Sequence, residues 1–369
     1  MFFQANDGAN GAELWQSDGT PGGTSMVKDI NSGSDDSGPQ FLTVSNGVLF
    51  FSAYTVATSY ELWRSDGTSG GTSMVKDINS GPGNSYLSSL TAFNGKLYFS
   101  ASDGPGDELM QSDGTSGGTS LLKDINPGPQ GSSPNSFTAF NGKLYFFAFT
   151  TDGGELWQSD GTTNGTIMVK DIRPGSSSSS PRFLVVLNGV LFFSANDGIA
   201  GTELWQSDGT SGGTLMVKDI RPGSSSSSPQ YLTVFSGKLY FSANDGIAGI
   251  ELWQSDGTPG GTSMVKDINP SSDLYGPGSS SPSYLTVFNG KLFFFANDGT
   301  TGRELWKSDG TPDGTALQMD FYPGNGCYDG MTGVYVPCGQ AAPSAMAAVN
   351  GKLFISALNG SSGYELWSC

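Results

Sequence analysis

Glu251-Leu252-Trp253-Gln254-Ser255-Asp256-Gly257-Thr258 decides the fold, because the chain repeats this phrase along its length. Glu-Leu-Trp-x-Ser-Asp-Gly-Thr begins at Glu13, Glu61, Glu155, Glu203, Glu251 and Glu304. A near copy at Glu108 has Met110 in place of Trp, and Glu365-Leu366-Trp367 is a truncated copy. From Trp15 to Trp367 the Trp positions lie 48, 47, 47, 48, 48, 53 and 61 residues apart. Self-similarity at such a period marks a repeat architecture, in which each unit buries its apolar faces only against its neighbours.

Working outward from Glu251, the unit resolves into four strands, labelled A to D. Tyr231 to Phe235 is a short β-prone run (A), and Lys238 to Ala243 alternates with period two as a half-buried strand does (B). Between them stands Ser236-Gly237, where other copies have Asn-Gly at Asn94, Asn141, Asn188, Asn289 and Asn350. Asn-Gly between apolar runs predicts a type I′ hairpin, since both central residues need positive φ. The loop from Asn244 to Gly249 leads into Glu251–Ser255 (C), and the turn at Asp256 to Gly261 leads into Thr262–Ile268 (D). A Ser/Pro/Gly linker of variable length follows. Four-stranded antiparallel units repeated along a chain predict an all-β protein, a β-propeller. A linear solenoid is the competing architecture.

The copies test the C–D hairpin against each other. Trp15, Trp63, Trp157, Trp205 and Trp253 each have a Met eleven residues on, and in the third unit both partners change together, to Met110 and Leu121. Paired change at a fixed separation is expected of cross-strand neighbours. The same register places Glu13 opposite Lys28 and Glu251 opposite Lys266, as exposed cross-strand pairs. In unit seven Met319 stands opposite Glu304.

Strands B and C occur eight times, A and D seven: the first unit has B, C and D and the last has A, B and C. The expectation is one propeller domain over 1–369 with eight blades, the first and last incomplete; seven blades is the alternative. Incomplete terminal blades also suggest self-assembly through their open edges.

The phrase, followed by Gly-Thr-x-Met-Val-Lys-Asp-Ile, resembles the ELWxxDGT repeat family over essentially the whole chain. That resemblance implies a large secreted or surface protein and carries no established reaction. The Ser-Asp-Gly-Thr turn is also similar to the Asp-box turns of sialidase-like propellers, which are structural.

Composition narrows the function. The formal charge is −17 and the pI about 4.2, so a phosphate backbone is repelled and nucleic acid is not an expected partner. No apolar run is long enough for a helical membrane span. Met1 to Asp7 already reads as the middle of a repeat, and no signal peptide is visible there. With no histidine, neither a Ser-His-Asp triad nor a histidine metal site can be assembled from the chain. The three Cys all fall in the last 43 residues; Cys327 and Cys338 read as a disulfide stapling one insertion, which favours an oxidising compartment, and Cys369 is the odd one.

Carboxylates and aromatics remain as candidates. The Asp of Asp-Gly-Thr is by default an Asx turn that bonds its own backbone. Calcium ligation at Asp18, Asp66, Asp208 and Asp256 is the functional rival. The Asn-Asp-Gly loop between B and C, with Asp7, Asp197, Asp245 and Asp298, is where binding to a ligand could be tuned. Trp15, Trp63, Trp157, Trp205, Trp253 and Trp306 are first of all packing residues, and as a second reading sugar-stacking platforms between blades. An enzyme would use carboxylates outside the repeat, such as Asp35, Asp36, Asp273, Asp313 or Asp329. The resulting expectation is an extracellular, non-enzymatic propeller serving in adhesion or assembly, with a glycan or a surface or matrix protein as partner. Its rival is a carbohydrate-active enzyme.

Overall fold

The computed structural model describes residues 1–104, 106–273, 276–321, 326–328, 335–337, 345–349, 351–358 and 364–368. Every regular element among them is a β-strand. The chain clusters into two compact units, Met1–Ser178 and Ser179–Cys369.

The first unit holds four sheets. Sheet one has three strands, Phe2–Asn6, Ala12–Gln16 and Ser25–Lys28, which are B, C and D of the repeat. Sheets two, three and four are complete antiparallel meanders beginning at Gln40, Ser88 and Asn135. The second unit holds sheet five (Arg182–Leu187, Val190–Asn196, Thr202–Ser207, Leu215–Lys218) and sheet six (Gln230–Phe235, Lys238–Asn244, Ile250–Ser255, Ser263–Lys266). Sheet seven follows (Ser283–Phe288, Lys291–Asn297, Arg303–Ser308, Ala316–Met319), then the three-stranded sheet eight (Ala345–Val349, Lys352–Leu358, Tyr364–Ser368). The strand count is thus the expected one: eight repeat sheets, the first without A and the last without D.

Turn chemistry follows the residues. Asn94 and Gly95 have φ of 48° and 76°, and Asn188 and Gly189 50° and 75°, the two positive values a type I′ hairpin requires. At the C–D turn Asp256 Oδ1 accepts from the Thr258 amide (2.9 Å) and the Thr258 hydroxyl (2.7 Å). Ser255 and Thr262 hydroxyls then close the neck of the loop at 2.7 Å. Gly261 is obligatory there, because a Cβ would stand 2.0 Å from Asp256 Oδ1.

The cores lie between successive sheets. Along strand C, side chains alternate: Leu252 packs toward sheet seven with Phe294 and Trp306, while Trp253 packs toward sheet five with Phe192 and Leu204. In the first unit Leu62 faces sheet three with Phe99 and Met110, and Trp63 faces sheet one with Leu14 and Val27. Sheets two and six therefore bury both faces, as a propeller blade must.

The C–D register confirms one cross-strand expectation and corrects another. Trp15 pairs with Met26, Trp63 with Met74, Trp205 with Met216, and Met110 with Leu121, as expected. The Glu–Lys pairing does not occur. A bulge between Leu14 and Trp15 makes Val27 the extra residue, so Lys28 stands opposite Leu14, and Lys266 opposite Leu252. In sheet seven Met319 stands opposite Leu305, not Glu304. The lysines reach sideways instead. Lys28 Nζ donates to the Thr72 carbonyl of sheet two, and Lys266 Nζ to the Thr315 carbonyl of sheet seven, at 2.7 and 2.8 Å.

Freed from lysine, the glutamates turn inward. Glu13, Glu61, Glu155, Glu203, Glu251 and Glu304 are fully buried. Glu251 accepts from the Ile268 amide (2.9 Å), the Ser280 amide (2.9 Å) and the Ser280 hydroxyl (2.5 Å). The Ser280 carbonyl in turn accepts from the Asn297 amide of sheet seven at 2.9 Å. Each such serine is a rivet between the strand C of one sheet and the strand B of the next. Ser37, Ser85, Ser132 and Ser227 make the same carbonyl contact to the sheets that follow them.

Candidate functional site

Most residues singled out by repetition are consumed by the scaffold. Trp63, Trp157, Trp205, Trp253 and Trp306 are 6–8 % exposed, so neither indole face is open to a sugar ring; Trp15 and Trp367 are half-buried. The B–C loop aspartates form Asx turns. Asp245 Oδ1 accepts from the Ile247 and Ala248 amides, Asp197 Oδ1 from Ile199 and Ala200, and Asp298 Oδ1 from Thr300 and Thr301, all within 2.7–2.8 Å. Asp7 does the same with Ala9 and Asn10, and those bonds hold its carboxyl below the usual range.

The Asp18, Asp66, Asp208 and Asp256 carboxylates are exposed, each with Oδ1 already taken by its own Thr, which lowers their pKa values. Among the described residues no three Asp, Glu or Cys side chains gather as a cation cage would need. Of the carboxylates outside the repeat, Asp36 accepts from the Ala12 amide at 2.6 Å, while Asp35 and Asp313 are exposed. Asp329, Cys338 and Cys369 lie outside the described residues, so the expected Cys327–Cys338 disulfide does too.

The glutamates have the most perturbed acidity. Burial raises Glu61, Glu203, Glu251 and Glu304 to about 7, against hydrogen bonds that pull the other way. Glu61 and Glu304 each keep one buried Oε1 without a partner. Seven similar carboxyls cannot make one active site, and each is sealed from solvent.

A site that departs from the repeat lies over sheets six and seven, in the second unit. It is a pocket of ≈ 500 Å³ whose walls are the linkers into the two sheets and the ends of their B and C strands. Tyr231 forms one side, with Gln230, Asn244 and Asn297 offering amides. Arg221 and Arg303 enter from opposite neighbours: Arg221 follows strand D of sheet five and Arg303 opens strand C of sheet seven. No Asp or Glu lines it, although the chain holds 34 acidic residues against 17 basic.

Tyr231 takes part in a row of rings, 6.2 Å from Phe183 and 6.0 Å from Tyr284 between centroids. All three have φ between 54° and 57°, a left-handed conformation that bulky residues rarely adopt. It belongs to a bulge in strand A, marked by the register shift between Gln230 and Thr233. Neither the arginines nor this row was singled out from the sequence. The signal was present: the position of Arg221 holds Asn31, Asn79, Asn126 and Asn269 in four other units and Arg only at Arg173, and that of Arg303 holds Ala12, Tyr60, Asp107, Gly154, Thr202 and Ile250.

No family model matches the chain, and no curated protein sequence does. Solved structures do. A prolyl endopeptidase structure matches with a TM-score of 0.51 and 14% identity, over 90% of this chain and 50% of that one. Puromycin hydrolase matches with a TM-score of 0.46 and 15% identity over 89% and 51%, and a puromycin-hydrolysing peptidase of Mycobacterium tuberculosis with 0.45 and 12% over 90% and 51%. The chain thus spans about half the length of the structures it matches. The prolyl endopeptidase match runs against the expectation of a non-enzymatic adhesion or assembly scaffold, since the structure that shares the architecture is a peptidase. Repeated sugar sites also lose their means, because the repeated Trp, Glu and Asp are packed or turn-bound. At 14% identity the likeness shows the fold alone: an all-β propeller of four-stranded antiparallel blades.

Proposed function

We propose that this chain is the ligand-engaging propeller of a peptidase-related protein, holding peptide over its second unit. The observation that carries the reading is the pocket over sheets six and seven, which breaks the repeat and combines an aromatic wall with amide and hydroxyl groups. A peptide backbone presents both N–H and C=O groups. Gln230 can meet both kinds, and Asn244 and Asn297 can donate through Nδ2 while their Oδ1 atoms accept from the Gly246 and Gly299 amides; Tyr231 supplies apolar area with a polar tip. The fold likeness to a prolyl endopeptidase supports a peptide over other ligands of that size. Without histidine the chain cannot assemble a Ser-His-Asp triad by itself, so on this reading bond-breaking groups come from residues outside it.

Fluorescence anisotropy of a dye-labelled, proline-containing hexapeptide tests the reading, with mass spectrometry of the same mixture. Saturable binding with the peptide left intact is the expected result. Absence of saturable binding up to millimolar protein, or cleavage of the peptide by the purified chain, would overturn it.

A further inference from the structure

We propose that Arg221 and Arg303 make this pocket a carboxylate reader that seats the C-terminal carboxylate of a peptide, a step that rests on the peptide-binding reading above. Charge gives the first argument. Two arginines line one cavity with no acidic wall, in a chain of formal charge −17. Among the described residues neither arginine makes an ion pair, so neither is neutralised by a carboxylate. The nearest loop acids, Asp245 and Asp298, spend Oδ1 on their own turns and do not line the cavity.

Donor accounting gives the second. Arg303 Nη2 donates to the buried Ser283 hydroxyl, its guanidinium carbon sits 6.0 Å from the centre of the Tyr284 ring, and its Nε is buried without a partner. A buried N–H left unpaired is costly unless something binds it. Arg221 makes no hydrogen bond or ion pair among the described residues, leaving its full fork of donors. Guanidinium forks match a planar carboxylate in bidentate fashion.

Preorganisation gives the third. The residue before Arg221, Ile220, is tied by its amide to buried Glu203 at 2.9 Å. Arg303 precedes buried Glu304, which accepts from the Phe321 amide at 2.8 Å. Both arginines thus extend from clamped backbone, which lowers the ordering cost of binding. A cavity of ≈ 500 Å³ suits the end of a short peptide.

The test compares one labelled hexapeptide with a free C-terminus, the same peptide amidated, and N-acetylglycine as a bare carboxylate that competes. The variants are Arg221→Asn, which installs the residue found at four equivalent positions, and Arg303→Lys, which keeps the charge and loses the fork. The expected result is that amidation and each variant weaken peptide binding about tenfold or more, the scale of charge-assisted bonds, with N-acetylglycine competing in the parent chain only. Equal binding of free and amidated peptide, unchanged in both variants, would overturn the carboxylate reader and leave the peptide-binding reading standing. Binding of N-acetylglycine that needs Arg221, with neither peptide bound, would keep the carboxylate site and overturn the peptide reading. If none of the three binds, both are overturned.

Discussion

The first unit contains a counterpart of the arginine pocket, and the two are instructive together. Gln40, Phe41, Ser52 and Tyr60 of sheet two stand where Gln230, Tyr231, Ser242 and Ile250 stand in sheet six. The same bulge places Phe41 at φ 56° and Tyr231 at φ 56°. Yet the first cavity is ≈ 300 Å³ and walled by Phe41, Tyr60 and Tyr86, with no charged residue. The second is ≈ 500 Å³ and holds two arginines. One scaffold thus yields a neutral aromatic cleft in one unit and a cationic pocket in the other. Residues that hold the scaffold recur in most copies; Arg303 stands at its position in one copy alone.

The comparison breaks if the shared scaffold is energetically unlike in the two units. Trp63→Ala and Trp253→Ala each remove a buried indole between two sheets, and each is expected to destabilise by about 3–5 kcal/mol. Chemical denaturation measures both. A change under about 1 kcal/mol in either would mean that the packing read as common to both units is not equally tight.

The buried glutamates give a pH test of the same kind. Glu61 in the first unit and Glu203, Glu251 and Glu304 in the second have folded pKa values of about 7, above the ordinary 4.5. The folded chain therefore holds more protons than the unfolded chain between those values. The stability this confers is complete below about 4.5 and is lost as pH rises through about 7. The turn aspartates act oppositely: lowered below 3.8, they favour folding above that value and cease to as pH falls further. The melting temperature should thus fall between pH 5 and pH 8, and Glu251→Gln should flatten the fall. A melting temperature that rises over this range would show these carboxyls ionised throughout. The geometry accommodates either state, since the Ser280 hydroxyl lies 2.5 Å from Glu251 and 3.3 Å from the Ile250 carbonyl.

How much of this could be read from the residues divides along the same line. Period, strand count, hairpin turns and the Trp–Met register were legible, because each depends on local chemistry or on a separation within one hairpin. The Glu–Lys pairing misled because one bulged residue, Val27 and its equivalents, shifts the register by one; a bulge has no signature in an alternating pattern. The serine rivets were hidden inside low-complexity linkers. They stand a constant 24 residues after the repeat Glu at Ser37, Ser85, Ser132 and Ser227, which repeat alignment would have exposed. The arginine pocket was missed for a different reason. Its two bases lie 82 residues apart, and Arg221 recurs once as Arg173, so nothing local in the sequence marks them as one site.

Between these extremes lies the turn that both units share. Asn46 and Asn94 in the first unit and Asn188 in the second hold φ near +50° with a following Gly. Asn188→Ala is expected to cost about 1 kcal/mol, because alanine lacks the side-chain bonding that lets Asn sit there. Replacing Ser236, which holds the same conformation in sheet six, by Asn should stabilise by a few tenths of a kcal/mol. Equilibrium denaturation of both variants checks the pair, and a cost for Ser236→Asn would show that the local turn rule is overridden at that hairpin.

The smallest expected effect sharpens the comparison most. Arg221→Asn converts the second pocket toward the neutral character of the first, using the residue that four other copies carry at that place. If Arg221 is there for a ligand, its loss should shift stability by less than about 0.5 kcal/mol, because it makes no hydrogen bond or ion pair among the described residues. Its aliphatic stem lies near Gly246, so a small loss of packing is the main structural term. The asparagine has its own use in the scaffold: Asn126 Nδ2 donates to the Gly131 carbonyl at 2.7 Å and Asn79 Nδ2 to the Asn84 carbonyl at 2.9 Å. A new bond of that kind to the linker could therefore make Arg221→Asn slightly stabilising. Thermal melts of the variant and the parent decide between the two roles. A destabilisation above about 2 kcal/mol would make Arg221 a structural residue and dissolve the contrast between a shared scaffold and a private site.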